Sequence, residues 1–155
     1  MRYPLFLDLT GQPVVVIGAG KVATRKIKLL LAAQASVTVV SPRAAKDIQR
    51  LKIRWVRRKF RIGDLRGARL VVAATDDLDV NRRVCAEAKR RRLLVNCAAP
   101  PDAGNFIVPS VIRRGALIIA ISTGGRSPTL AKRIRRELEQ YLRDRYPDFV
   151  RQLNQ

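Results

Sequence analysis

Short runs of β-branched residues alternate along this chain with stretches whose apolar positions recur at helical spacing, the pattern of a parallel α/β sheet. Residues 5–7 read as a short edge strand, followed by a turn at Thr10, Gly11 and Gln12. Residues 14–17 are unbroken valine and isoleucine, which predicts a central strand buried on both faces. Gly18-Ala19-Gly20 turns that strand into a helix over about 22–33, with Ile27, Leu30 and Leu31 on one face. Further strands are predicted at 36–40, ending at Pro42, and at 53–56, 70–74 and 93–96. Asp77 or Asp79 caps a helix running to about residue 91. After a loop over 98–105 come two more apolar runs, 106–108 and 117–121. Ser127 and Pro128 then supply an N-cap and a first-turn proline for a helix to about residue 145, which Pro147 ends.

The informative chemistry lies at the first strand-to-helix turn. Gly18-Ala19-Gly20-Lys21-Val22-Ala23 reads G-x-G-x-x-A, directly after a buried strand and opening a helix. The first glycine permits the tight turn, the second lets a pyrophosphate approach the backbone, and Ala23 lets helix and strand pack closely. The helix N-terminus then favours the phosphate charge. The acidic residue that usually binds a ribose after the second strand is missing, and Val40-Ser41-Pro42-Arg43 stands there instead. Ser41 suits a ribose hydroxyl and hence NAD; Arg43 suits a 2′-phosphate and hence NADP. The residues alone leave that choice open. Thr75 and Asp76 follow the fourth strand at the sheet's carboxyl edge, where ligands of such folds bind, so they either line a cofactor site or Asp76 and Asp77 simply start the next helix. Thr123-Gly124-Gly125-Arg126-Ser127-Pro128 precedes a capped helix, so it is either an anion-binding concavity or an ordinary turn.

Composition narrows the function classes. The chain has 155 residues and no histidine, which removes the Ser-His-Asp triad and every histidine-based metal site. Cys85 and Cys97 lack a metal-ligand spacing, so no metal site is expected, and two thiols without an export signal fit a reducing cytoplasm. No apolar run approaches the roughly 20 residues a membrane span requires. With 32 basic residues against 12 acidic, the net charge is +20, spread over the whole chain rather than held in a tail. Nucleic-acid binding, focusing of a small polyanion and simple drift toward arginine all account for it. Aromatic residues make up 5% and none forms a stacking arrangement, which argues against nucleic acid.

Taken together, several segments resemble the precorrin-2 dehydrogenase family, the N-terminal module of siroheme synthases. They are Tyr3-Pro4-Leu5-Phe6, the glycine segment through Leu31, Ala73-Ala74-Thr75-Asp76-Asp77, Val95-Asn96, Asn105-Phe106-Ile107-Val108-Pro109 and Ser122 through Pro128. The resemblance covers about residues 1–145. It implies a Rossmann-type parallel sheet over 1–113, then a small α+β dimerisation element over 114–155, in a homodimer. It implies NAD-dependent oxidation of precorrin-2 to sirohydrochlorin in siroheme biosynthesis, with iron insertion as a second activity of some members. The substrate carries eight carboxylates, which gives the positive charge a purpose.

Residue by residue, the resemblance implies Gly18, Gly20, Lys21, Val22 and Ala23 at the pyrophosphate and Ser41 and Pro42 near the adenosine ribose. Thr75 and Asp76 border the cofactor, and Asn96 sits toward the nicotinamide. Asn105, Ser122, Gly124, Gly125, Arg126 and Ser127 are the candidates for the tetrapyrrole. Two departures stand out. The family's catalytic aspartate corresponds to Ala99, so the nearest acid is Asp102, on a loop that Pro100 and Pro101 stiffen. The helical C-terminal domain that many members carry is expected to be short or absent. Ala99 also admits a rival reading: a catalytically impaired protein that binds a tetrapyrrole or dinucleotide as sensor or carrier.

Overall fold

The computed structural model describes residues 2–146. They form two units, which are taken separately: Tyr3–Phe106, and Arg2 together with the chain from Ile107 onward. Part of the expected 114–155 element, including Pro147, lies outside the described residues.

In the larger unit β1 (Pro13–Ile17) leads into α1 (Lys21–Ala32), β2 (Ser36–Val40), the short α2 (Lys46–Gln49) and β3 (Arg54–Val56). A 3-10 turn at Ile62–Leu65 precedes β4 (Leu70–Ala73), α3 (Leu78–Arg90), β5 (Leu94–Cys97) and a second 3-10 turn at Pro101–Ala103. The five strands make one parallel sheet in the order β3-β2-β1-β4-β5. This is the Rossmann-type half-sheet expected from the alternation of strands and helices.

Successive strand residues point to opposite faces, so the two faces carry separate cores. Val14, Val16, Val37, Val39, Leu70 and Val72 meet Ala23 and Ile27 of α1. On the other face Val15, Ile17, Val71, Ala73 and Val95 meet Val84, Cys85 and Ala88 of α3. Complete burial of Ile17, Ile27 and Val71 contributes roughly 1.5–3 kcal/mol each. Asp77 is the residue that caps α3, accepting from the Asp79 and Val80 amides at 3.0 Å.

The second unit pairs β6 (Ser110–Arg114) with β7 (Leu117–Ile121) as an antiparallel ribbon. It continues into α4 (Pro128–Arg145), which packs on the ribbon, with Ile112 and Ala131 buried. Ser127 caps α4 through the Leu130 amide, and Pro128 occupies its first turn.

Two predicted strands do not form. Residues 5–7 and 106–108 are irregular: Leu5, Phe6 and Leu7 stay exposed while Leu9, just beyond that run, packs on the sheet core, and Phe106 packs there from the second run. Pro109 also lacks the N–H that would continue a strand. The ribbon strand begins one residue later, at Ser110.

Candidate functional site

Every strand of the parallel sheet delivers its next residues to the carboxyl edge, and β1 delivers the glycine turn. Gly18 has φ +105°, a conformation that disfavours any side chain, and its amide donates to the Val40 carbonyl at 3.0 Å. An added Cβ would stand 2.6 Å from the Ala74 carbonyl carbon, so glycine is required for the turn to pass β4. Gly20 is different. Its backbone is ordinary, and an added Cβ would meet nothing within 4 Å. The space above it is open.

Gly20 is also the N-cap of α1 and has no side chain to satisfy the helix amides. The N–H groups of Lys21, Val22 and Ala23 have no acceptor among the described residues, and the first turn carries no acid. Three unpaired amides with a free approach are what a phosphate needs. Ala23 is fully buried against the sheet while Lys21 and Val22 face solvent. The residues present therefore fit a pyrophosphate.

After β2, the Ser41 hydroxyl donates to the Arg43 carbonyl at 2.7 Å, which leaves its lone pairs free to accept from a ribose hydroxyl. The Trp55 indole holds this turn by donating to the Ser41 carbonyl at 3.0 Å, and Pro42 follows within it. The Arg57 guanidinium lies 4.2 Å from the Trp55 ring centroid.

After β4, the Thr75 amide and hydroxyl both donate to Asn81 Oδ1, at 3.0 and 2.8 Å. Asp76 is exposed and has no hydrogen-bond partner among the described residues. After β5, Asn81 Nδ2 donates to the Ala99 carbonyl at 2.9 Å, and Cys97 Sγ donates to the same oxygen at 3.3 Å. Asp102 is exposed on the second 3-10 turn.

Two of the expected residues are engaged inside the protein. Asn96 is 6% exposed; its Oδ1 accepts from Lys26 Nζ at 2.7 Å, and its Nδ2 donates to the Phe106 carbonyl at 3.1 Å. Burial, more than the neighbouring Arg25 charge, lowers the Lys26 pKa. Asn105 covers the free edge of β5, donating to the Leu93 carbonyl and accepting from the Val95 amide, both at 2.8 Å. Its own amide donates to the Val95 carbonyl at 2.9 Å.

In the second unit Gly124 and Gly125 have φ +67° and +88°. The Gly124 amide donates to Ser122 Oγ at 3.1 Å, and the Ser127 amide to Thr123 Oγ1 at 3.0 Å. Arg126 is exposed, and Arg2 Nη1 donates to the Gly124 carbonyl at 2.8 Å. The loop thus carries two guanidinium groups, of which sequence reading finds only Arg126.

Asn81, Lys26, Trp55 and Arg2 are absent from the sequence-derived set. The only local signal was an asparagine four residues after the Asp77 cap, inside a helix where asparagine is disfavoured.

Among the described residues no helix is long and apolar enough to cross a membrane, and no three Cys, Asp or Glu side chains form a cation-holding group.

Comparison with known proteins places this geometry. Residues 5–110 match the family described as "Putative NAD(P)-binding", and residues 114–141 match the one described as "Sirohaem biosynthesis protein central". A siroheme synthase of Methylobacillus flagellatus is 44% identical over 140 residues, covering 88% of this chain and 30% of the relative. Siroheme synthase 2 of Aeromonas hydrophila is 43% identical, covering 90% of this chain and 30% of the relative. The chain therefore spans about 30% of the length of these curated relatives. Among solved structures, the precorrin-2 dehydrogenase SirC is 39% identical with a TM-score of 0.80, covering 90% of this chain and 71% of SirC.

Proposed function

Starting from its membership of the precorrin-2 dehydrogenase family, we propose that this chain oxidises precorrin-2 to sirohydrochlorin with NAD, in siroheme biosynthesis. The observation that carries the reading is the open space over Gly20 combined with the unpaired amides of Lys21, Val22 and Ala23.

The larger unit, Tyr3–Phe106, then serves as the dinucleotide-binding domain expected over about 1–113. Gly18, Gly20, Lys21, Val22 and Ala23 hold the pyrophosphate, Ser41 and Pro42 border the adenosine ribose, and Thr75 and Asp76 flank the cofactor. Bound NAD supplies the hydride acceptor, and the reaction releases one further proton. The work left to the chain is orientation, since an activated macrocycle mainly needs its carbon–hydrogen bond held in line. Asp102 is the nearest carboxylate along the chain to position 99 and the candidate to take that proton. Asn96 acts through its place in the Lys26–Asn96–Phe106 chain of hydrogen bonds, and Asn105 through the β5 edge.

Ser122, Gly124, Gly125, Arg126 and Ser127 supply amide, hydroxyl and guanidinium donors suited to the substrate's carboxylates. The ribbon of β6 and β7 together with α4 forms the dimerisation element of a homodimer. Val111, at 38% exposure, together with Ile118 on the ribbon face opposite Ile112, supports that role. Two free buried thiols support a cytoplasmic setting.

Calorimetric titration with NAD tests the reading. Binding that Gly20→Asp abolishes supports it, because a carboxylate would meet the pyrophosphate. Equal affinity in the variant would sink it.

A further inference from the structure

Asn81 is fully buried on α3, yet none of its side-chain hydrogen bonds serves the helix. Its Oδ1 accepts from the Thr75 amide and shares the single Thr75 hydroxyl proton with the Asp77 carbonyl. Its Nδ2 donates to the Thr75 carbonyl at 3.1 Å and to the Ala99 carbonyl at 2.9 Å. Both donors and both lone pairs of the carboxamide are thereby used, which a buried amide requires. All four bonds run to two loops, the one after β4 and the one after β5.

We propose that Asn81 is a positioning residue for the oxidation assigned above, one buried carboxamide that fixes the cofactor-side loop at Thr75 and the loop at Ala99 as a single piece. The proposal rests on that functional reading. Residue 99, where the family resemblance locates the reacting acid, is an alanine here, and its carbonyl lies on the loop that runs directly into the turn bearing Asp102, the carboxylate assigned above. A clamp at this carbonyl therefore holds the loop that carries Asp102, while the bonds to Thr75 hold the cofactor side. Misplacement by about an ångström in such a site costs up to about a hundredfold in rate.

Asn81→Asp separates the two halves. It keeps the shape and the acceptors but, when ionised, loses both donors and aims negative charge at the Thr75 and Ala99 carbonyls. With the fold intact by circular dichroism, we expect kcat to fall at least about tenfold while KM for NAD changes less than about threefold. Activity relative to wild type should recover as pH is lowered, because a protonated carboxyl regains a donor and burial raises its pKa. Should the aspartate variant not fold, Thr75→Val removes one bond of the cluster and should lower kcat, with Thr75→Ser restoring it. A folded Asn81→Asp with wild-type kcat and pH profile overturns the proposal, as does a Thr75→Val indistinguishable from wild type. A wild-type chain that fails to bind NAD by calorimetry overturns the functional reading itself, and the proposal with it.

Discussion

Gly18 passes so close to Ala74 that a Cβ on the glycine would stand 2.6 Å from the Ala74 carbonyl carbon, whereas a Cβ on Gly20 would touch nothing within 4 Å. The two glycines of one motif thus answer to different demands, one to the fold and one to the ligand. Gly18→Ala should destabilise the chain by about 3 kcal/mol or more, since a clash with backbone adds to a left-handed conformation. Gly20→Ala should cost no more than about 1 kcal/mol, since alanine is a poorer N-cap than glycine but its methyl meets no clash. It should nevertheless weaken NAD binding at least about tenfold, as the methyl group enters the phosphate space. Urea unfolding and calorimetry on both variants check this; equal behaviour of the pair would contradict it.

Alanine stands at position 99, where the family resemblance implies an aspartate, and the main chain there is held by Asn81 and Cys97. Ala99→Asp should raise kcat for precorrin-2 oxidation if the missing carboxylate limits the rate. An unchanged kcat would show that orientation of the macrocycle sets the rate instead. Steady-state rates of the two proteins under anaerobic conditions decide between them.

Stability should fall at both ends of the pH scale for identifiable reasons. Hydrogen bonds from Arg90 and then Arg91 hold the Glu87 pKa at about 2, against 4.5 in the unfolded chain. That contribution is present above 4.5 and is lost as pH falls toward about 2. Burial, reinforced by Cys97, pushes the Cys85 thiol up to about 12 from 9.0. The unfolded chain releases this proton first, so stability declines as pH rises from 9.0 toward about 12. Thermal unfolding of wild type and Cys85→Ala, followed from pH 8 to 11, should show a shallower alkaline decline in the variant.

Light scattering addresses the proposed homodimer. Twice the chain mass of 17.4 kDa is expected at micromolar concentration, and a clean monomer would contradict the assignment of the ribbon and α4 to self-association.

The parts of this account legible in the sequence are those whose signal is local. Val14–Ile17 could only be a buried strand, the glycine spacing announced the turn, and Ser127-Pro128 marked the start of α4 to the residue. Helix ends were less visible. Gln34 and Arg92 take the left-handed conformation after α1 and α3, where glycine would have been the usual flag. Short elements such as α2 and the turn at Ile62–Leu65 carry too few residues for a period to register. Phe106 looked like a strand position, and the fold uses it as a core plug; the bonds of Asn105 to the β5 edge carried no signal in the sequence. Lys26 could not be read at all, because its partner lies 70 residues away in sequence, and Asn81 offered only an asparagine inside a helix, its bond to Ala99 spanning 18 residues. Only the sheet brings them together.

The most direct test of the central claim is anaerobic incubation of the chain with precorrin-2 and NAD, followed by absorbance, and then repeated with NADP. The account predicts conversion to sirohydrochlorin with NAD. Binding of both ligands without conversion by either dinucleotide would contradict it.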